Sequence, residues 1–521
     1  MPRLARTLGA AAASALAFSL YARVAWPWFA LGWCGLVPWL AALDGVRTRR
    51  GALAAGWLMS VAFTLAVFPW FIDGIAGYAD APWGVALLVI VASAPLMQPQ
   101  FLVHAVARHL ARRRGAAGWH VAALSACTYV GAEWALPKLF ADTLGHGFLA
   151  ADHLRQGADL VGAGGLTALL LLANEAALAA WRRGATRRAL APLAGVALLV
   201  AALWGYGAAR LAQLDAQPGT ALRAGVVQAN ISHYDRLAAE IGTYDAVRLI
   251  LDAHEALSAQ LLAEARPDFL VWPETVYPTT FAAPKSPDGA AFDTEITEAV
   301  TRFGVPLVLG SYDAADGHEY NAAFVLEPGA APAAAPVYRK AQLFPFTERV
   351  PAWLDRPAVR AALPWLGTWR AGTGATVLPL RLADGRTVRI APQICYDAVN
   401  PALAIAAARA GAELIVTLSN DSWFAAGGGP RLHLVVAAFR SIETRLWQVR
   451  ATNTGISAIV SPSGEMIDAL GVDARGTLAA TVTARPSPGS LLIAWGDWFG
   501  AAAALAGAAL LAALFARPRP T

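Results

Sequence analysis

Eight stretches of mostly apolar residues constrain this chain more than anything else in it. Seven precede residue 212, near 8–23, 26–43, 52–71, 83–106, 118–136, 158–181 and 189–209, and one runs from about 498 to 516. A helix of roughly 20 such residues crosses a bilayer, because all its backbone N–H and C=O groups bond within the segment. Composition agrees, with 57% hydrophobic and only 15% charged residues, far more apolar than a soluble average. The first stretch could pass for a signal peptide. No small-residue cleavage site followed by polar sequence appears, however, and a second apolar stretch follows at once. The spacing predicts a polytopic α-helical membrane protein of about eight spans.

Basic residues orient it. Arg3 and Arg6, Arg47, Arg49 and Arg50, Arg108 and Arg112 to Arg114, Arg182, Arg183, Arg187 and Arg188, then Arg517 and Arg519 all fall at one set of span ends. The other set has only Arg23, Lys138 and Arg155. The positive-inside rule then places both termini in the cytoplasm of a bacterial inner membrane, with the long segment before the last span on the periplasmic side. The net charge of +5 is a topology signal, and no nucleic-acid partner is expected. Glu175, inside the sixth stretch, is expected to snorkel or bond a neighbouring helix. His146, in Gly145-His146-Gly147-Phe148-Leu149, is expected to be structural or interfacial, in a loop that re-enters the membrane.

Residues 220–485 read differently. Apolar runs at 224–228, 269–272, 306–310, 322–326, 388–394, 414–418 and 456–460 alternate with helical periodicity, as in 239–265 and 430–447. The pattern predicts a layered α/β domain inserted between a seven-span region over 1–212 and a last span with its tail over 490–521. The loop 330–336 is low-complexity surface.

The chemistry sits where strand runs end, the usual position of reactive groups in α/β folds. Val388 to Ile394 leads into Cys395, expected at the exposed end of a strand. Val271-Trp272-Pro273 leads into Glu274, and Tyr338-Arg339-Lys340 precedes Leu343-Phe344-Pro345-Phe346. The other cysteines, Cys34 and Cys127, lie far away in apolar stretches, so neither a disulfide nor a metal site is expected. A cysteine nucleophile needs a base for its proton and a cation or donor for the oxyanion formed when it attacks a carbonyl. Glu274 can serve as the base and Lys340 as the cation. Each is unremarkable alone; all three together point to one site.

These segments resemble the nitrilase superfamily of carbon-nitrogen hydrolases, with its Glu-Lys-Cys triad, and the chain as a whole resembles the apolipoprotein N-acyltransferase branch. The residues carrying the resemblance are Trp272-Pro273-Glu274; Lys340 with Leu343, Pro345-Phe346, Glu348 and Val350-Pro351; Ile394-Cys395-Tyr396; Ser419 to Phe424; and Arg450 to Ala458. The membrane layout matches as well.

The resemblance implies an αββα nitrilase-like sandwich and a two-step acyl transfer. Cys395 would take a fatty acyl chain from a phospholipid, with phosphatidylethanolamine the expected donor, as a thioester. The free α-amino group of a diacylglyceryl-cysteine at a lipoprotein N-terminus would then accept it as an amide, the last step of lipoprotein maturation. Glu274 would be the general base, Lys340 and the Tyr396 N–H would hold the oxyanion, and Glu348 would support Lys340. Asn420, Trp423 and His433 are expected near substrate, and Tyr320-Asn321 is expected to be structural.

Three features depart from the family pattern. Asp397 stands where a glutamate is usual, and no tryptophan occurs between Trp204 and Trp272, so Tyr234 is expected to take over a lipid contact. The glycine-rich 425–430 replaces a more polar loop. No cofactor is implied, and a monomer is expected. Two other readings are a membrane-bound amidase with water as acceptor, for which eight spans are excessive, and a non-catalytic lipid or lipoprotein binding paralogue, which would have no need of all three triad residues.

Overall fold

The computed structural model describes residues 2–516 apart from 185, 233, 364, 365, 425 and 426. Arg517 and Arg519, positions 425 and 426 of the glycine-rich loop, and the side chains of Arg3 and Arg188 fall outside the described residues. The chain forms two compact units. One comprises Met1–Asp215, Phe424–Val435 and Trp495–Thr521; the other comprises Ala216–Trp423 and Val436–Ala494.

The first unit is helical. Among the described residues, four helices are by length and composition able to cross a membrane: Arg49–Val67, Ala158–Arg183, Leu190–Asp215 and Trp498–Ala516. A fifth span is added if the pair Trp70–Tyr78 and Trp83–Met97, bent by 119°, counts as one. Several expected stretches are divided, among them 52–71 after Val67 and 158–181 at a non-helical Gly162. The stretch 83–106 becomes helices Trp83–Met97 and Gln100–Arg113, because Pro99 disfavours a helical Gln98 before it. The stretch 26–43 becomes a 3-10 turn Trp28–Trp33 and a seven-residue helix Val37–Leu43, which reaches only about 10 Å. Likewise 145–149 forms a 3-10 turn, Leu144–Ala150, in which His146 Nδ1 accepts the Thr143 N–H at 3.0 Å.

Small residues let these helices close on one another. A Cβ on Gly131 would come within 2.6 Å of the Ala504 backbone, and one on Gly56 within 2.8 Å of Leu102. Glu175 does not snorkel; it pairs with Arg108, which is buried and also forks onto Asp44 at 3.1 and 3.2 Å.

The second unit is a sandwich of two six-stranded sheets. Its strands are β1 (Thr220–Gln228), β2 (Phe269–Val271), β3 (Leu307–Ala315), β4 (His318–Leu326), β5 (Val337–Arg339), β6 (Leu378–Arg381), β7 (Thr387–Ile394), β8 (Leu414–Ser419), β9 (Trp447–Thr452), β10 (Ser457–Val460), β11 (Met466–Leu470) and β12 (Gly476–Ala484). The first sheet runs β12-β1-β2-β3-β4-β5 and the second β11-β10-β9-β8-β7-β6, with the central pairs β1-β2-β3 and β7-β8-β9 parallel.

Period-2 patterning builds the layers. Leu222, Ala224, Val226, Phe269, Val271 and Val308 join Ile390, Ile394, Val416 and Val449 in the cluster shared by both sheets. The alternate residues Val227, Leu270, Trp272, Leu307 and Leu309 face helices Thr243–Ala265 and Pro287–Phe303. Helix Pro401–Arg409 covers the outer face of the second sheet through Ala407 and Ala408, against Ala391 and Ile415. This is the expected αββα order. The helical stretch expected over 239–265 is broken at Gly242, where φ is +92°, and that over 430–447 ends at Thr444, before β9.

Candidate active site

Parallel strands deliver their C-terminal ends to one edge, and Glu274 and Cys395 sit just past such ends, while Lys340 follows β5, which pairs antiparallel with β4. β2 runs into Trp272-Pro273-Glu274, where the Trp272 N–H bonds Val308 O and its Nε1 bonds Ser258 Oγ, both at 2.9 Å. The turn passes so close over β3 that a Cβ on Gly310 would meet Pro273 O at 2.2 Å. Only glycine at 310 permits this approach.

Glu274 is buried and its carboxylate is fully engaged. Oε1 accepts Asn321 Nδ2 at 2.7 Å and Lys340 Nζ at 3.2 Å, and Oε2 accepts the Asn420 N–H at 2.7 Å. Lys340, 1% exposed, follows β5 and anchors its own N–H on Asn321 O at 2.8 Å. Its Nζ also donates to Glu348 Oε1 at 2.7 Å, and Glu348 Oε2 accepts the Phe344 N–H at 2.7 Å. Burial alone would push Lys340 down. The Glu274 and Glu348 carboxylates outweigh it and hold the amine well above the ordinary lysine range.

β7 ends in a strained turn. Cys395 has φ +47°, a conformation that costs a non-glycine residue of order 1–3 kcal/mol and persists only where its surroundings impose it. The expectation of an exposed thiol is corrected here: Cys395 is 8% exposed, at the start of the buried 3-10 turn Cys395–Val399. Its position at the inner edge of the sheet-sheet cluster removes it from solvent. Burial, and then Glu274, push its thiol well above the ordinary range, while Lys340 opposes them.

Asp397 fixes the two reactive loops to each other. Its Oδ1 accepts the N–H groups of Ala341 at 3.2 Å and Gln342 at 2.7 Å, and its Oδ2 accepts the Ile394 N–H at 3.0 Å and Tyr338 OH at 2.9 Å. Burial nevertheless raises it to about 6, against these donors and Lys340. Tyr396 and Trp423 both pack on Phe344, with ring centroids 5.0 and 5.1 Å apart.

The structure thus brings together Glu274, Lys340, Glu348, Cys395, Tyr396, Asp397, Asn420 and Trp423. Asn420 contributes its backbone N–H to Glu274, while its side chain accepts the Ser422 N–H at 3.3 Å. Tyr234 opens helix Tyr234–Ile241 and packs, half-buried, on the helix-covered outer face of the first sheet. His433 lies in the Phe424–Val435 segment of the helical unit, its ring 5.6 Å from Phe424. Asn321, expected to be structural, bonds both Glu274 and Glu348. The signal available for it was an amide on a buried strand, where an unpaired polar group is costly.

Known proteins share both halves of this chain. The carbon-nitrogen hydrolase family matches residues 223–485, and the apolipoprotein N-acyltransferase N-terminal domain matches residues 10–176. An apolipoprotein N-acyltransferase of Caulobacter vibrioides is 31% identical over 510 residues, covering 91% of this chain and 88% of its own. One of Bdellovibrio bacteriovorus is 28% identical over 493 residues, covering 91% and 87%. Among solved structures, an amidase from Nesterenkonia sp. covers 51% of this chain and 92% of its own at 18% identity, with a TM-score of 0.38, too loose a likeness to bear on function. With both domain families matched in order and a 31% identical relative along nearly its full length, the chain belongs to the apolipoprotein N-acyltransferase family.

Proposed function

We propose that this protein moves a fatty acyl chain from a membrane phospholipid, through a thioester on Cys395, to the α-amino group of a diacylglyceryl-cysteine at a lipoprotein N-terminus. The observation that carries the reading is the buried Lys340 ammonium shared between Glu274 and Glu348, beside a strained Cys395. Glu274 takes the Cys395 proton as sulfur attacks the ester carbonyl. The tetrahedral oxyanion is met by Lys340 and the Tyr396 N–H. Collapse expels the lysophospholipid oxygen, which Glu274 protonates. The lipoprotein amine then attacks the thioester, Glu274 takes a proton from the attacking nitrogen and passes it to the departing sulfur, and an amide leaves with the thiol restored. Starting from an ammonium, each turnover releases one proton, and covalent splitting of the transfer gives ping-pong kinetics.

Phosphatidylethanolamine is the donor we favour, and we read the protein as a monomer. Residues 1–212 and 490–521 form the membrane region of about eight stretches, and 220–485 form the catalytic domain. The arginine asymmetry supports a periplasmic catalytic domain with both termini cytoplasmic. Lipid-borne substrates give the helices a purpose beyond anchoring.

Intact mass spectrometry of the detergent-purified protein with phosphatidylethanolamine tests this reading. We expect a fatty-acyl adduct that is absent from Cys395→Ala, labile to hydroxylamine and discharged by a diacylglyceryl-cysteine peptide. Discharge by water alone would instead favour the amidase reading, and a folded protein without adduct would favour a binding role.

A further inference from the structure

The turn after β8 carries a second carboxylate at the nucleophile. Asp421 is buried, and one of its carboxylate oxygens lies within 4.8 Å of Cys395 Sγ. Its Oδ1 accepts Ser419 Oγ at 2.7 Å and its Oδ2 accepts Arg450 Nη2 at 3.0 Å, with the Arg450 and Asp421 side chains both at 0% exposure. β9 runs parallel to β8 with Thr452 opposite Ser419, so Arg450, two residues earlier on the same face, reaches past the strand end to the turn. A Cβ on Gly455 would meet Asp421 Oδ2 at 2.2 Å, so the backbone after β9 closes over the pair. A buried ion pair of this kind adds little net stability, because desolvation cancels much of the attraction. Its placement points to a local role.

We propose that Asp421, clamped by Arg450, is a positioning and charge-setting residue of the acyl-transfer site. It holds the Asn420 amide on Glu274 Oε2 and adds to the negative charge facing Cys395, helping to hold it as a neutral thiol until substrate arrives. The inference rests on the acyl-transfer reading for its purpose. Asn420 is the residue between the two anchored positions, Ser419 and Asp421, so fixing Asp421 aims the Asn420 N–H at Glu274. Within the catalytic unit the charged groups around the thiol are Glu274, Lys340, Glu348 and Asp421, plus Asp397 on its own turn. Burial disfavours the thiolate most and Glu274 next, Asp421 and Glu348 add to them, and Lys340 acts against them. Since the thiolate is the form that oxidants and alkylating agents attack, a resting thiol stays intact while proton transfer to Glu274 is coupled to attack on the ester.

The test follows iodoacetamide modification of the Cys395 peptide in the full-length protein by mass spectrometry, across pH, beside acyl-enzyme formation. Asp421→Asn should alkylate about tenfold faster at a fixed pH, equivalent to one pH unit, while forming acyl-enzyme more slowly. Arg450→Gln should alkylate more slowly than wild type, Asp421→Glu should restore the wild-type profile, and the double variant Asp421→Asn with Arg450→Gln should fall between the single ones. If Asp421→Asn does not fold, Ser419→Ala carries the test. Loss of the Oδ1 hydrogen bond leaves more charge facing the thiol, so alkylation should slow about threefold, half a pH unit. Alkylation of Asp421→Asn at or below the wild-type rate, or of Ser419→Ala at an unchanged rate, overturns the proposal. The two readings fail separately: a missing wild-type acyl adduct with the alkylation shifts present removes the acyl-transfer reading alone, and an adduct without the shifts removes only the role of Asp421.

Discussion

Each unit buries a cation between carboxylates, the helical unit doing so a second time with Lys138 between Glu133 and Asp142, and the clusters around Arg108 and Lys340 differ in what the cation can do. In the helical unit Arg108 bonds Asp44 in a fork and Glu175 on its other side, and Arg112 and Arg182 add further bonds to Asp44. In the sandwich Lys340 bonds Glu274 and Glu348 through one nitrogen. A guanidinium is permanently charged and planar, and its donors are spent on matching carboxylates, so the first cluster ties together the segments bearing Asp44, Arg108 and Glu175. An ammonium is a compact point charge with rotatable donors, able to turn toward an oxyanion forming beside it. Arginine suits a lock, and lysine suits a site whose charges must rearrange.

The largest expected effect is on the lock. Arg108→Met leaves Asp44 and Glu175 without their central partner and should cost about 3–5 kcal/mol, measured as thermal unfolding in detergent, while acyl-enzyme yield per folded molecule is kept. An unchanged unfolding midpoint would break the comparison. Next, Lys340→Ala should slow acyl-enzyme formation by about 3–4 kcal/mol, the usual loss for an oxyanion donor. Acylation at the wild-type rate would remove Lys340 from its assigned role.

Asn321→Ala removes a donor shared by two carboxylates and should slow acylation by about 1.5–3 kcal/mol, the range for hydrogen bonds to charged groups. A loss of stability with no loss of rate would return Asn321 to a structural part. The smallest effect is in pH. Asp397 lies raised to about 6, above the ordinary aspartate value near 3.9. Between about 4 and 6 the folded chain therefore binds more protons than the unfolded one, and this group's contribution to stability rises as pH falls. Protonation also weakens the acceptor that holds the Lys340 and Cys395 loops. Acyl-enzyme formation should thus decline below about pH 6 without matching thermal destabilisation, and Asp397→Asn should remove that limb; a decline that tracks unfolding would contradict this.

Much of the site was legible in the residues because its members end apolar runs. Cys395 and Glu274 stand directly after β7 and near the end of β2, and strand periodicity is a local property that a sequence displays; Lys340 follows the short β5 and was legible only beside the other two. β5, β6, β9, β11 and β12 were not among the expected runs. Trp447 to Thr452 carries Gln448 and Arg450 inside a buried strand, so its pattern lacks the continuous apolar signal. Gly310 and Asn321 were illegible as parts of the site for another reason. Their importance comes from a backbone crossing and a shared hydrogen bond with residues 36 and 47 positions away, Glu274 in both cases.

The sequence by itself determined that this chain belongs in lipid, that an α/β domain interrupts the apolar stretches, and which types of group are available for acyl transfer. Hydropathy, period and residue chemistry are all written locally. Tertiary structure decided that Cys395 is buried instead of exposed, that 83–106 breaks at Pro99, and that Asp397 accepts four donors from two segments. It also decided that Asp421 faces the thiol with Arg450 behind it. Those outcomes depend on the register of parallel strands and on which carboxylate a buried cation meets first. Such pairings join residues far apart along the chain, where no local pattern distinguishes one partner from another.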